Sequence, residues 1–160
     1  MELKLIEVEK PDGSNVIIGQ SHFIKTVEDL YEVLVAAVPG IKFGVAFCEA
    51  SGPSLIRHTG SDPGLEAAAI EAANAIGAGH VFVVMLANAF PINVLNQIKM
   101  VPEVCCVFCA TANRLRVIVA CEDSGRGVIG VIDGDSPVGI ENETDAADRR
   151  AMLRRFGYKQ

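Results

Sequence analysis

The chain has 160 residues, of which 50% are hydrophobic and 21% are charged, and its formal net charge at pH 7 is −6. This length and composition are typical of one globular domain, so we expect residues 1–160 to fold as a single domain. The acidic balance excludes a surface that binds nucleic acid mainly through phosphate charge. No apolar run reaches the roughly 20 residues that a membrane span needs, and the acidic amino terminus is unlike a secretion signal, so we expect a cytoplasmic protein.

The amino-terminal part of the sequence predicts strands followed by a helix. The runs LKLIEVE and NVIIGQ, joined by the turn Pro11-Asp12-Gly13, predict a β-hairpin. The segment Thr26–Val38 has apolar residues at helical spacing, and Thr26 with Asp29 forms a predicted capping box. Pro39 and Gly40 then end the predicted helix.

The sequence after Gly40 predicts further strands and helices joined by short connections. The run KFGVAFCEA predicts a buried strand, and a polar, turn-rich connection follows it. Asp62 is expected to cap a helix that starts at Pro63 and ends at Gly77. The later predicted elements are a strand from His80, a short helix from about Pro91, three strands between Glu103 and Asp133, and a last helix over about 145–156.

These patterns together predict the fold class. The runs VFVVML and FGVAFC lack alternation, which is typical of strands covered on both faces, so helices should pack on the sheet. The successive runs from Glu103 to Asp133 predict antiparallel neighbours. We therefore expect an α+β (or mixed α/β) fold, a single compact domain with a mixed, largely antiparallel sheet covered by about four helices.

The five cysteines lie mostly inside apolar runs, which predicts reduced, buried thiols and no disulfide framework. Cys106 and Cys109 spell C-x-x-C, but they lie in a predicted strand, where positions three apart face opposite sides. We therefore expect no metal or redox pair there.

The stretch GRGVIGVIDG, residues 125–134, contains the spacing G-x-G-x-x-G. A dinucleotide fingerprint would have to leave a strand and open a helix, whereas here a turn precedes the motif and more strand follows. The sequence has no Gly-Lys dipeptide for a Walker A loop and none of the protein-kinase motifs. We interpret the stretch as a glycine-rich turn and strand, whose glycines let another backbone or a ligand approach closely, and not as a phosphate cradle.

Two histidines are candidates for chemistry. His22 and His80 each follow a glycine-bearing turn and precede an apolar element, and imidazole can act as nucleophile or base near neutral pH. A hydrogen-bonded structural role is the alternative for each. The candidate carboxylates at predicted element ends are Glu49, Asp62, Glu103 and Asp133, and further polar candidates are Asn93, Asn96, Lys99, Thr111 and Asn113.

Seven sequence blocks lie one after another along nearly the whole chain: GQSHFIKTVEDLYE, KFGVAFCEASG, IGAGHVFVV, FPINVLNQIK, EVCCVFCATAN, GRGVIGVIDG and RRFGYK. In this order they resemble the signature blocks of the adenosine-specific kinase family, small proteins mainly of archaea and some bacteria. The resemblance implies a homo-oligomer that binds adenosine or AMP and transfers a phosphoryl group to adenosine. The chain departs from the family pattern at Ser61, where Asn is usual, and at 112–114, where Asn-Pro is usual; Ser61 keeps a hydroxyl of shorter reach.

The resemblance also implies site residues. The expected catalytic residues are His80, His22, Asp62 and Asp133, and the expected ligand-binding residues are Glu49, Ser61, Asn93 and Lys99. A kinase would use ATP or another phosphoryl donor, with Mg²⁺ and a Lys or Arg to neutralise charge, and Asp62 or Asp133 as base or metal ligand. A second route passes the phosphoryl group through His80 or His22. No ligand set for a resident metal is expected.

The absence of common ATP motifs leaves two alternatives to a kinase. The first is a non-catalytic adenosine or AMP binder or sensor. The second is a structural or assembly protein, whose apolar strands and basic terminal helix serve association.

Overall fold

Eight β-strands and four α-helices make up the chain, and this computed structural model describes all residues from 1 to 160. The strands are β1 (Glu2–Val8), β2 (Asn15–Ser21), β3 (Lys42–Cys48), β4 (Ile56–Gly60), β5 (Val81–Ala87), β6 (Val104–Thr111), β7 (Leu115–Cys121) and β8 (Arg126–Asp133). The helices are α1 (Thr26–Ala37), α2 (Pro63–Ile76), α3 (Pro91–Lys99) and α4 (Glu143–Arg155). None of these helices is both long enough and apolar enough to span a membrane.

The strands form two antiparallel sheets. The central sheet has five strands in the order β4-β3-β5-β2-β6, and the outer sheet has three in the order β1-β7-β8. Every pair of neighbours is antiparallel. The predicted α+β class, with four helices in one compact domain, is confirmed; the strands divide between two sheets.

Both faces of the central sheet are covered. One face packs on α1 and α3 through a cluster that includes Phe43, Phe47 and Phe82. The other face packs on α2 and on the inner face of the outer sheet. The runs VFVVML and FGVAFC form β5 and β3, and both are buried on the two faces, as predicted.

The amino-terminal hairpin prediction is wrong. Strand β1 pairs with β7, whereas β2 pairs with β5 and β6, so the turn Pro11-Asp12-Gly13 carries the chain from one sheet to the other. The physical reason lies in the burial of the two strands. Strand β2 is buried on both faces and has a neighbour along each edge, whereas β1 exposes one face and lies at a sheet edge.

The two predicted helix caps have different outcomes. The side chain of Asp62 accepts hydrogen bonds from the N–H groups of Gly64 and Leu65, at 3.0 and 3.1 Å, which confirms the cap of α2. The capping box of α1 is wrong, because Thr26 is buried and its hydroxyl donates to the carbonyl of Phe23. Helix α1 therefore starts without a side-chain cap.

The glycine-rich and cysteine-rich segments lie in strands. Strand β8 contains the G-x-G-x-x-G stretch, as predicted, but no atom approaches within 4 Å of a Cβ placed at Gly125, Gly127 or Gly130. The expected close approach is therefore absent within this chain. Only Cys48 is fully buried, and Cys105 and Cys106 are exposed because β6 is an edge strand, which corrects the expectation of buried thiols.

Helix α2 approaches β3 so closely that only glycine fits at position 44. A Cβ on Gly44 would lie 2.2 Å from the backbone nitrogen of Glu66 and 2.3 Å from its Cα. These are backbone atoms within a helix, so they cannot move without shifting α2 away from the sheet. The contact therefore fixes the distance between the two elements.

The variant Gly44→Ala is expected to lower the free energy of unfolding by about 2 to 3 kcal/mol, because the added methyl overpacks the contact. Urea denaturation measures this change. The matched control is Gly127→Ala in β8, where a Cβ meets nothing, and we expect it to stay within about 1 kcal/mol of the wild type. Equal unfolding midpoints for the two variants would show that the contact is not tight.

Glu103 is a buried acid in the turn between α3 and β6. Only 2% of the residue is exposed, and neither carboxylate oxygen has a hydrogen-bond partner. Burial raises the pKa of Glu103, and the carboxylate of Asp29 adds to this rise. Its backbone carbonyl accepts hydrogen bonds from the Ser21 hydroxyl and the His22 N–H, so the residue ties the end of β2 to the start of β6.

The variant Glu103→Gln is expected to raise the melting temperature at pH 7 to 8 by a few degrees. Because the pKa of Glu103 is higher in the folded state, its contribution to stability is full below the ordinary glutamate pKa and is lost as pH rises through the folded value. Glutamine does not ionise, so its advantage over the wild type should grow from pH 4 to pH 8. Thermal unfolding across this range measures it, with the exposed Glu28→Gln in α1 as control. A constant difference at all pH values would contradict the prediction.

Candidate functional site

A cavity of about 340 Å³ lies at one edge of the central sheet, and we call it the His80 cavity. Because neighbouring strands are antiparallel, the ends of β2 and β3 lie beside the starts of β4 and β5, and the cavity forms there. The lining residues are His22, Phe23, Ile24, Glu49, Ser51, Gly52, Pro53, Arg57 and His80. Three predicted site residues, His22, Glu49 and His80, are thus brought together.

His80 is held by its backbone and by the core beneath it. Its φ of 64° lies in the left-handed region, which is uncommon for a residue other than glycine. Its N–H donates to the carbonyl of Cys48 at 2.7 Å, and its carbonyl accepts from the N–H of Ser21 at 2.9 Å. The imidazole stacks on Phe47, with ring centroids 5.8 Å apart and planes 12° apart. The ring therefore has a fixed position against the sheet.

Glu49 lies between a histidine and an arginine. Its Oε1 is 3.6 Å from Nε2 of His80, and its Oε2 accepts a hydrogen bond from Nε of Arg57 at 3.3 Å. Burial by itself raises the pKa of Glu49, but the Ala50 N–H, Arg57 and His80 outweigh it, so the pKa is below its ordinary value. The carboxylate is therefore charged near neutral pH and can orient both neighbours.

The mouth of the His80 cavity is partly apolar. Phe23 and Ile24 are exposed there, next to His22, whose ring centroid is 6.4 Å from that of Phe23. The backbone of His22 is fixed by the hydrogen bond from its N–H to the carbonyl of Glu103, at 3.1 Å. An exposed aromatic ring beside polar groups is a suitable surface for a planar base.

One cavity residue, Arg57, was missed by the sequence analysis. It lies in β4, within the segment that was predicted to be a polar, turn-rich connection. Strand β4 is short and has no fully buried residue, so its apolar signal is weak. The available signal was the run Ile56-Arg57-His58-Thr59, which can form an edge strand next to a strand as apolar as β3.

Two predicted site residues, Ser61 and Asp62, lie directly before the start of α2. Asp62 caps the helix, as described above. The hydroxyl of Ser61 accepts from the N–H of Phe43 and donates to the carbonyl of Ile41, so it joins the segment before α2 to the start of β3. Neither lines the His80 cavity. Their roles in catalysis and ligand binding stay predictions.

The other three predicted residues lie towards α3 and the turn between β6 and β7. Asp133 accepts hydrogen bonds from the Thr111 hydroxyl and the Asn113 amide, at 2.7 and 3.0 Å. Asn93 accepts from the N–H of Phe90 and so caps α3, whose last residue is Lys99. These three residues are not among those that line the His80 cavity, and their functional roles also stay predictions.

A second, more apolar cavity of about 800 Å³ lies at this end of the molecule. Its lining residues are Asn15, Phe90, Pro91, Ile92, Ala110, Thr111, Ala112, Asn113, Leu153, Phe156 and Tyr158. None of these lining residues is charged. This cavity therefore lacks the histidines, the carboxylate and the arginine that line the His80 cavity. Nowhere do three or more His, Cys, Asp or Glu side chains group so that they could hold a metal ion.

Comparison with known proteins gives the family. The PH1918 protein from Pyrococcus horikoshii OT3, whose crystal structure is known, is 51% identical to this chain, with a TM-score of 0.96 over 99% of this chain and 98% of that one. No functionally curated protein matches. The sequence profile described as adenosine specific kinase matches residues 6–159. This match covers almost the whole chain, which therefore belongs to the adenosine-specific kinase family.

Proposed function

We propose that this protein transfers a phosphoryl group to adenosine and that the reaction takes place in the His80 cavity. The observation that carries the proposal is the convergence of His22 and His80 with the Glu49–Arg57 pair at one sheet edge. Kinase-like action on adenosine follows from the family. The assignment of the site, of the histidines and of AMP binding is our own.

His80 is the proposed carrier of the phosphoryl group. Its Nε2 lies 3.6 Å from the Glu49 carboxylate, so we assign the ring proton to Nε2 and the lone pair to Nδ1. Attack by Nδ1 on the terminal phosphorus of the donor forms an N–P bond and breaks the donor's P–O bond. The ring becomes an imidazolium, whose positive charge the Glu49 carboxylate stabilises.

Transfer to adenosine completes the reaction. A ribose hydroxyl attacks the phosphorus, the N–P bond breaks, and His80 leaves as neutral imidazole. The hydroxyl proton needs an acceptor, and the proposed base is His22, which lines the same cavity. The exposed ring of Phe23 is the proposed surface for adenine, and AMP is the product.

Arg57 is the proposed phosphate-binding group. Its Nε–H bonds Glu49, and its terminal NH₂ groups make no hydrogen bond within the chain, so they can donate to phosphate oxygens. The cavity residues do not fit a protein-held metal, because Glu49 is their one carboxylate and already accepts from Ala50 and Arg57. A Mg²⁺ ion would arrive with the donor, held by its phosphates and by water.

The size of the cavity favours sequential binding. At about 340 Å³ it is near the lower end of the roughly 300 to 1,000 Å³ usual for ligand pockets. We infer that the phosphoryl donor and adenosine occupy it in turn, which a covalent intermediate on His80 permits. The same size also fits the second candidate function, a binder or sensor of adenosine or AMP without catalysis.

Thermal stability with ligands separates the two candidate functions. A ligand at ~100 times its dissociation constant adds roughly 2.7 kcal/mol, or on the order of 5 to 10 °C for this chain length. A kinase should be stabilised by adenosine, AMP and ATP with Mg²⁺, and should form AMP from adenosine and ATP. Stabilisation by adenosine and AMP alone would favour the binder or another phosphoryl donor. Guanosine is the control, and no response to any adenine compound would contradict the proposal.

Replacing His80 tests the phosphoryl carrier. His80→Asn should lower AMP formation at least about 100-fold and abolish acid-labile labelling of the protein by γ-labelled ATP, because the nucleophile is lost. His22→Asn should slow AMP formation but leave the labelling intact. The matched control is His58→Asn, since His58 lies on β4, bonds Glu66 and does not line the cavity. Undiminished labelling of a folded His80→Asn variant would overturn the mechanism.

A further inference from the structure

The apolar cavity of about 800 Å³ takes no part in the proposed reaction, and we call it the Tyr158 cavity. Its volume is within the range of roughly 300 to 1,000 Å³ that is usual for ligand pockets. Asn15 in its wall is the first residue of β2, whereas Ser21, at the other end of this strand, precedes His22 of the His80 cavity. A strand rises about 3.3 Å per residue, so the two cavities lie roughly 20 Å apart. A ligand in the Tyr158 cavity is therefore separate from the reaction.

The end of α4 builds one wall of the Tyr158 cavity. Gly157 has a φ of 82°, in the left-handed region, and its N–H donates to the carbonyl of Arg154. The N–H of Tyr158 donates to the carbonyl of Leu153 at 3.0 Å, which completes the Schellman motif of a helix end. This motif turns Tyr158 back towards Leu153, and both residues line the cavity together with Phe156. The sequence block RRFGYK thus forms this wall.

Three aromatic rings in the wall are open to solvent. The exposed fractions of Phe90, Phe156 and Tyr158 are 60, 65 and 48%. None of the three stacks on another ring of the chain. The other apolar residues of the wall are Pro91, Ile92, Ala110, Ala112 and Leu153. Exposed aromatic faces in a concave apolar wall favour a flat ring that can stack on them.

Two side-chain oxygens of the wall accept no hydrogen bond. Nδ2 of Asn15 donates to the carbonyl of Ala89 at 3.3 Å, and Nδ2 of Asn113 donates to the carboxylate of Asp133 at 3.0 Å. Both of these partners accept hydrogen bonds, which fixes the orientation of each amide and leaves its Oδ1 free. Only 4% of Asn15 is exposed, yet its Oδ1 is not sealed from solvent and so opens to the cavity. Because the wall has no charged residue, these oxygens suit a neutral N–H donor.

We propose that the Tyr158 cavity binds a planar heteroaromatic ring that carries an amino group. The ring stacks on the exposed aromatic side chains, and the amino group donates to Oδ1 of Asn15. Oδ1 of Asn113 is available for a second hydrogen bond. A buried acceptor gains a bond from this ligand that the same ring without its amino group does not supply. A phosphate finds no cation in the wall, so the ligand is a neutral base and not the phosphoryl donor.

Tyrosine fluorescence of the full-length protein tests the proposal. The chain has two tyrosines and no tryptophan, and Tyr31 lies in α1 against Phe43. The variant Tyr31→Phe therefore leaves Tyr158 as the one tyrosine. The probe 9-methyladenine should quench its emission saturably, by at least about half, because the base stacks on the ring. The matched probe 9-methylpurine, which lacks the amino group, should bind at least about tenfold more weakly.

Further substitutions in the Tyr31→Phe background locate the binding site. Asn15→Leu should lower the affinity for 9-methyladenine to that for 9-methylpurine, because the acceptor is lost. Phe156→Ala, at an exposed position, should weaken the binding of both probes at least about tenfold. The control is Phe23→Ala at the mouth of the His80 cavity, which should leave the quenching unchanged.

Three results would contradict the proposal. They are quenching no greater than that of free N-acetyltyrosinamide at the same probe concentrations, equal affinities for the two probes, and quenching that Phe156→Ala leaves unchanged. Circular dichroism shows whether the variants fold, and if Asn15→Leu does not, the comparison of the two probes tests the same acceptor. None of these measurements depends on phosphoryl transfer, so they decide this proposal separately from the proposed reaction.

Discussion

The burial of β3, β5 and β2 on both faces is the constraint on which the rest of this structure depends. Strands without a solvent-facing side require cover above and below, and the chain supplies it with α1 and α3 on one face and with α2 and the outer sheet on the other. Each of these strands also requires a hydrogen-bonded neighbouring strand on both of its sides. Because all neighbours are antiparallel, the ends of β2 and β3 and the starts of β4 and β5 meet at one edge. Polar residues excluded from the core gather there.

The candidate site follows from this edge. Glu49 directly follows β3, His80 directly precedes β5, and Arg57 comes from the short β4 beside them. Their separation along the chain is large, but the register of the sheet brings them into one cavity. Glu49 lies between the other two, with one oxygen towards each, so a single carboxylate can orient both the proposed nucleophile and the proposed phosphate-binding group. The proposed phosphoryl transfer through a histidine depends on this arrangement.

Sequence reasoning succeeded where one physical signal was strong and local. The apolar runs of β3 and β5 and the Asp62–Pro63 start of α2 are such signals. It failed where the partner of a segment decides, because β1 and β2 look like a hairpin until the burial of β2 is known. His22, Glu49 and His80 were individually predictable as residue types at element ends. Their meeting with Arg57 was not, since it depends on sheet order and on the edge strand β4.

The stacking of His80 on Phe47 has a consequence for how the site responds to heat. Phe47 belongs to the core, and the backbone of His80 is bonded to the ends of both β2 and β3. We therefore expect that the opening of a surface loop alone does not displace the imidazole, because its supports belong to the buried central sheet, where local opening costs nearly as much free energy as global unfolding. The geometry of the histidine and the integrity of the central sheet should then be lost in the same transition, and we expect the site to keep its arrangement up to the melting temperature of the domain.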